Sequence, residues 1–315
     1  MKFSAKQLSL SRSFESEKYV DAKIAQLVTL YKGRARAISA RLRGVDISDF
    51  EQNRLTVLLS QVNREIAFLT KQSTPILRDI AKRSYLRGEN LTSDALAGVV
   101  SARARTAFGA TIHKSAVNVV ADQLVMDFTH LNQNAQRTIH RFLMQSRQTA
   151  IEDTAITEAV GKGLIEGSTR RQVSGQIYKA FSQKIGDGKF IEINGRQYNL
   201  ADYSELLART RTREAVTQGQ INTCLQFGVD LIQVSVHDTD CEVCLPFQGK
   251  VYSISGSSGR FPKLTMRPPY HPNCKHVLLP VPEGALSEDE EDALSKFSRG
   301  KGAVGNISEY VEMVG

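Results

Sequence analysis

The chain is poor in cysteine, with four cysteines among 315 residues. A disulfide scaffold needs a denser supply, so this class is excluded and a reducing compartment is favoured. Long apolar runs are also missing, because no stretch approaches the ~18 consecutive apolar residues of a membrane span. The first twenty residues lack the apolar run of a secretory signal peptide. With 41% hydrophobic and 23% charged residues, the composition predicts an ordinary globular protein with room for two domains.

Familiar catalytic motifs are absent as well. The sequence contains no G-x-S-x-G elbow, no Walker-type phosphate loop and no H-E-x-x-H zinc motif. We therefore predict a protein that is not an enzyme, has no catalytic residues and takes no small-molecule substrate.

The net charge of +8 is unevenly distributed. Residues 1–110 contain 19 Lys and Arg against 10 Asp and Glu, whereas residues 281–315 are acidic. The basic excess has two interpretations: contact with a phosphate backbone or an acidic partner, or solvated faces of long helices. No aromatic side chains interleave with the arginines as a stacking platform requires. The candidate contact residues for DNA or a portal protein are Arg34, Arg36, Arg41, Arg43, Arg103 and Arg105.

Residues 1–148 have few prolines and no strand-like alternation, and they predict an elongated helical region, either a bundle or a set of hairpins. Apolar spacing predicts helices over residues 14–43, 94–108 and 111–148. A capping box at residues 48–51 predicts the start of another helix. Thr74 and Pro75 fit an N-cap followed by proline at the first helical position, and this helix is expected to stop near Gly88.

Residues 149–282 predict a small α+β domain with a short antiparallel sheet. Helices are expected over residues 151–166, 168–185 and 201–227, the last with Cys224 on its core face. Asn194-Gly195 predicts a hairpin over residues 189–198, because both turn residues need positive φ. Strands are expected within residues 229–237, 249–254 and 276–281. Residues 283–315 form an acidic C-terminal tail, for which a short amphipathic helix and a mobile tail both fit.

Cysteine and histidine cluster between residues 241 and 276. Cys241 and Cys244 form a C-x2-C knuckle, and Cys274 and His276 form C-x-H, with His271 just before them. Zinc prefers four tetrahedral thiolate and imidazole ligands, and a knuckle plus a distant pair is its usual sequence form. The first choice of ligands is Cys241, Cys244, Cys274 and His276, with His271 as the alternative fourth ligand. Three thiolates filling the site predict a structural zinc ion; buried thiols with a packing histidine are the alternative.

The order of these segments resembles a known family. The chain contains four segments in this order: a predicted helix with YSELLARTRTREA, the D-x2-C-x2-C knuckle, GKVYSISG and PPYHPNCKHVLLP. In this order of segments, roughly residues 150–282 of the chain are similar to the minor head (minor capsid) proteins of tailed bacteriophages, the Mu-type head morphogenesis family. Many relatives end the motif with Cys-Arg-Cys where this chain has Cys274-Lys275-His276. This exchange keeps zinc-ligand chemistry and favours His276 as a ligand.

The resemblance implies a virion protein, and the lack of long apolar runs predicts that a membrane is not among its partners. It implies association with the phage portal protein near the portal vertex, inside the head, after assembly in the host cytoplasm. The major capsid or scaffolding protein and packaged double-stranded DNA, bound non-specifically, are the further partners. Head assembly, DNA packaging or DNA ejection are the implied roles.

Two other function classes stay open at this point. An HNH-type metal-dependent nuclease also frames its metal with cysteine knuckles, but it needs a metal position open to water. His237 and Asp238 are the spare candidates for that chemistry. A non-specific DNA-binding module using the basic helices is the other alternative.

Overall fold

The computed structural model describes residues 14–43, 52–97, 109–152 and 188–314. Its helices are α1 (Phe14–Arg43), α2 (Gln52–Leu96), α3 (Gly109–Glu152), α4 (Leu200–Gln226), α5 (Glu288–Arg299) and α6 (Ile307–Val314). Its strands are β1 (Ile191–Ile193), β2 (Arg196–Tyr198), β3 (Leu231–Val234), β4 (Val251–Ser253) and β5 (Leu278–Val281). The predicted α+β class, with N-terminal helices followed by a short antiparallel sheet, is confirmed. None of the described helices has the length and apolar character needed to cross a bilayer.

The helix boundaries predicted inside α2 are wrong. α2 continues through Pro75, and the Thr74 hydroxyl donates back to the Thr70 carbonyl at 2.8 Å instead of capping the residues ahead. Gly88 also lies within α2, where packing against α4 leaves no room for a side chain. Asp94 belongs to the last turn of α2, so it does not begin a new helix. Tertiary packing thus overrides local breaker signals.

Several predicted features lie outside the described residues. They are the capping box at 48–51, most of the helix predicted for 94–108, nearly all of the helix predicted for 151–166 and the helix predicted for 168–185.

The chain divides into two compact units. The helical unit comprises Ile24–Leu77 and Val125–Glu205, and the sheet unit comprises Met1–Lys23, Arg78–Leu124 and Leu206–Gly315. The domain boundaries predicted from the sequence at residues 148 and 282 stay predictions.

In the helical unit, α1, α2 and α3 contribute apolar side chains to one core. Leu27, Ile38, Leu69 and Ile139 are almost fully buried there. A polar bridge crosses this core: the Tyr31 hydroxyl donates to Asn132 Oδ1 at 2.9 Å, and Asn132 Nδ2 donates to Thr70 Oγ1 at 2.9 Å. Because each buried polar atom of the bridge has a partner, the bridge fixes the register of the three helices without an unpaired group.

The β1–β2 hairpin also belongs to the helical unit and confirms the sequence prediction. The strands pair antiparallel, and the turn residues Asn194 and Gly195 have φ of 50° and 74°. These are the positive values that a two-residue hairpin turn requires.

The sheet unit is built on the strand order β4-β3-β5, with both pairs antiparallel. Ile232 and Val234 of the central strand pack against Leu278 and against the α4 residues Ile221 and Cys224. Cys224 is buried in this core as predicted, and burial raises the pKa of its thiol to about 12.

The acidic segment after β5 forms a helix, α5, and this agrees with the first of the two alternatives, a short amphipathic helix or a mobile tail. Ser287 and Glu290 form a capping box at the start of α5. Leu294 of this helix packs against Val251 and Phe261. The acidic first turn of α5 lies at the positive end of the helix dipole, which favours it there.

Candidate metal centre

Two segments of the sheet unit bring the predicted ligands together. The loop after β3 carries Cys241 and Cys244, and the approach to β5 carries His271, Cys274 and His276. Two overlapping groups each have ligand atoms within 4.8 Å of one another: Cys241, Cys244 and His271, and Cys244, Cys274 and His276. Cys244 belongs to both groups, so all five side chains converge around its sulfur.

The C-x2-C segment forms a tight knuckle. The Cys241 carbonyl accepts the N–H of Cys244 at 2.9 Å and that of Leu245 at 3.0 Å. The N–H groups of Cys244 and Val243 also point at the Cys241 sulfur, and these hydrogen bonds lower the pKa of that thiol. Backbone donors that favour a thiolate prepare this sulfur to bind a cation.

The buried group has the dimensions of a tetrahedral site. Zinc–sulfur and zinc–nitrogen bonds of about 2.3 and 2.1 Å place two thiolate sulfurs about 3.8 Å apart, and a thiolate sulfur and an imidazole nitrogen about 3.6 Å apart. Cys244 Sγ lies 3.9 Å from Cys274 Sγ, and Cys274 Sγ lies 3.5 Å from His276 Nδ1. Cys274 and His276 are buried while Lys275 between them is exposed, as expected for an extended segment. The donor set therefore fits a tetrahedral cation.

His271 stands in a different relation to the cluster. Its Nε2 lies 2.9 Å from Cys244 Sγ, a hydrogen-bonding distance that is shorter than the edge of a tetrahedral site. His271 is also only half-buried. The sulfur–nitrogen distance of His276 is thus closer to that of a tetrahedral site than the distance of His271, which favours His276 as the fourth ligand.

Gln248 contacts the nitrogen of His276 that points away from Cys274. Its Oε1 accepts the Nε2–H of His276 at 2.7 Å and the backbone N–H of His237 at 2.9 Å, while its Nε2 donates to the Val304 carbonyl at 2.7 Å. Burial lowers the pKa of His276 to about 4, so its imidazole is neutral near pH 7. Sequence reasoning missed Gln248, because a glutamine in a loop carries no signal of the histidine that it will meet.

The remaining neighbours form a wall around the centre. Tyr270 stacks on Phe247 with ring centroids 4.2 Å apart. His237 packs edge-on against His276 at 4.9 Å, and its Nε2 is engaged by Ser235 Oγ at 2.8 Å. Neither His237 nor Asp238 belongs to the described metal-ligand groups.

The arginines proposed from the sequence as DNA or portal contacts have different surroundings. Arg34 and Arg41 both bind the carboxylate of Glu65, at 3.0 and 2.8 Å. The Arg34 guanidinium also stacks over Phe68 at 4.4 Å. Arg36 is exposed. The side chain of Arg43, and Arg103 and Arg105 as a whole, lie outside what the structure describes.

A comparison with protein families identifies the relatives of this chain. A family model described as phage minor capsid protein 2 matches residues 36–304. No curated protein and no solved structure gives a significant match. The match confirms the predicted resemblance to a phage minor capsid protein, and it also covers most of the N-terminal helices. The chain belongs to the phage minor capsid protein 2 family, and is thus a structural protein of the phage head found in the virion.

Proposed function

We propose that this minor capsid protein binds the phage portal inside the head, acts in head assembly and in DNA packaging or ejection, and holds its sheet unit together with one structural zinc ion. The observation that carries the zinc assignment is the convergence of three thiols and two imidazoles around Cys244 Sγ. Family membership supports the head location.

The proposed ligands are Cys241, Cys244, Cys274 and His276. When bound, the ion supplies cross-linking and no chemistry. Three thiolates and one imidazole fill a tetrahedral site and leave no position for water, which is typical of structural zinc. Binding free energy in such a site is folding free energy, because the ligands are not assembled in the unfolded chain.

Metal analysis of the purified full chain tests this assignment. We expect one zinc per chain, loss of zinc in Cys274→Ser, and retention in Cys224→Ala, whose thiol lies in the apolar core instead. Well under one zinc per chain would overturn the zinc site. If His271→Ala loses zinc while His276→Ala keeps it, His271 is the fourth ligand and the site stands.

Portal binding rests on the family and on the basic N-terminal third of the sequence, which suits an acidic surface. Co-expression with the portal protein of the same phage, followed by affinity purification of the portal, tests this part. Co-purification at physiological salt supports it; a portal that purifies alone while the chain is soluble and folded contradicts it.

The nuclease alternative finds no support at the centre. A hydrolytic metal needs an open position for water and a group to activate it. Among the described residues, His237 is instead tied to Ser235 and does not join the ligand groups. Plasmid cleavage with added divalent metal, abolished by His237→Ala, would revive this alternative.

A further inference from the structure

We propose that Gln248 is the positioning residue of the metal centre: it fixes Nδ1 of His276 as the metal-facing nitrogen and links the centre to the C-terminal segment 300–305. The inference rests on the proposed zinc site but concerns a residue outside the ligand set. Its basis is three hydrogen bonds made by one fully buried amide.

The two ends of the Gln248 amide are oriented by groups that are not histidine side chains. The Val304 carbonyl can only accept, so it faces the Gln248 NH2. The backbone N–H of His237 can only donate, so it faces Oε1. Both backbone groups therefore select the same orientation of the amide.

This orientation determines the tautomer of His276. Because Oε1 can only accept, Nε2 of His276, 2.7 Å away, must carry the proton. A neutral imidazole has one N–H, so the lone pair is left on Nδ1, which lies on the side of Cys274 Sγ. Ligating histidines commonly have their second nitrogen held in this way, and the outer partner orients the ring.

His271 lacks an equivalent support. Its Nε2 meets Cys244 Sγ, and no described residue accepts a hydrogen bond from its other nitrogen. Of the two histidines that compete for the fourth position, only His276 is thus pre-oriented. Gln248 accordingly decides which one binds the ion.

The same amide reaches the end of the chain. Val304 is buried, its neighbour Gly305 accepts the Thr239 N–H at 3.0 Å, and Lys250 Nζ donates to the Gly300 carbonyl at 2.8 Å. Segment 300–305 therefore lies against the loop that carries the knuckle. Through Gln248, ordering of the centre and docking of this segment stabilise one another.

Two substitutions separate the two roles of Gln248. Gln248→Leu removes every side-chain hydrogen bond of this residue, whereas the carboxylate of Gln248→Glu keeps an acceptor for His276 and His237 but cannot donate to Val304. Gln233→Leu is the matched control, because Gln233 is a buried glutamine that contacts α6, through Tyr310, without touching a proposed ligand.

The measurement is chelator competition on the zinc-loaded full chain, with long-range ¹H–¹⁵N NMR of the histidine rings. In the parent protein we expect a protonated Nε2 and a metal-bound Nδ1 for His276. Gln248→Leu should weaken zinc binding about 10- to 100-fold, the usual effect of losing an outer partner. Gln248→Glu should keep the affinity while segment 300–305 becomes sensitive to protease, and Gln233→Leu should keep the affinity.

The outcomes are distinguishable. Parent protein without zinc refutes the zinc assignment of the proposed function, on which the role of Gln248 rests. Parent protein with zinc on Nε2 of His276, or on His271, refutes the role of Gln248 even if both variants fail to fold. Unchanged affinity in Gln248→Leu also refutes it while the zinc site stands.

Discussion

Gly88 of α2 lies so close to Val216 of α4 that a Cβ atom placed on Gly88 would be 2.0 Å from the Val216 carbonyl oxygen. Gly219 makes the reciprocal approach, since its Cβ would be 2.3 Å from the Tyr85 carbonyl oxygen. The two helices thus meet backbone to backbone within the sheet unit, at a crossing that only glycine permits.

Gly88→Ala should therefore destabilise the protein. The new methyl meets backbone instead of a side chain that can rotate away, so the helices must separate. We expect the free energy of unfolding to fall by about 2 kcal/mol. Overpacking against backbone costs about 3 kcal/mol, and the better helix propensity of alanine recovers about 1 kcal/mol of this. Chemical denaturation measures it. Gly33→Ala is the control: nothing lies within 4 Å of its Cβ position, so stability should rise by about 0.5–1 kcal/mol. Equal effects at both sites would contradict the close crossing.

Tyr31→Phe should lower the free energy of unfolding by about 1–2 kcal/mol. The substitution keeps the ring, including its edge-to-face contact with Phe128, but leaves Asn132 Oδ1 buried without its donor. Thermal unfolding of the full chain measures the loss. Tyr19→Phe provides the comparison, because the hydroxyl of Tyr19 binds Asp79 at an exposed site, where a lost hydrogen bond is replaced by water. A loss in Tyr19→Phe as large as that in Tyr31→Phe would rule out the buried bridge.

Glu65 should make stability depend on pH on the acidic side. Hydrogen bonds from Arg41 and Arg34 lower the pKa of this carboxyl in the folded protein. Its contribution is therefore present above the unfolded pKa of about 4.3 and is lost as the pH falls through the lower folded value. Glu65→Gln should be less stable than the parent at neutral pH, and the difference should shrink in acid. Urea denaturation across this range checks it, and a pH-independent difference would contradict the pairing.

Removal of zinc should expose the C-terminal segment to protease. Segment 300–305 contacts the loop that carries the knuckle, through Gln248 and Thr239. We expect slow cleavage within it when the chain is loaded and rapid cleavage after chelation, read by intact mass spectrometry. Gly33, on a helix of the helical unit, provides the internal reference, because cleavage near it should be slow in both states. Equal C-terminal protection with and without metal would contradict the link.

DNA binding, if mediated by α1, should depend on Lys32 and Arg36. Both are exposed and lie one turn apart, whereas Arg34 and Arg41 already bind Glu65. Lys32→Ala/Arg36→Ala should weaken binding of any duplex and reduce the salt slope by about 0.9 per lost phosphate contact. Arg78→Ala, which removes a cation already paired with Asp122, is the control. Sequence-selective or salt-insensitive binding would exclude phosphate contact.

Local patterns were sufficient for much of the fold. The apolar period of residues 14–43 predicted α1 with its observed ends, and Asn194-Gly195 predicted the hairpin, because both signals act within a few residues. The spacing of the cysteines and histidines between residues 241 and 276 indicated a metal-binding cluster, and the structure brings them together in two groups that share Cys244. The choice of four ligands among the five stays a prediction.

Features that depend on a distant neighbour could not be predicted in this way. Pro75 and Gly88 are helix breakers by local rules, yet α2 continues through both, and Gly88 is required where α4 crosses. Arg34 and Arg36 are alike in sequence, but only the packing of α2 supplies Glu65 to one of them. The sequence alone determined the type of elements α1 to α4 and β1 to β5 and the chemistry of the candidate metal donors. Only the tertiary structure decided which helices run on, which charges are already paired and that Gln248 orients His276, because each depends on the free energy of contacts between residues far apart in the chain.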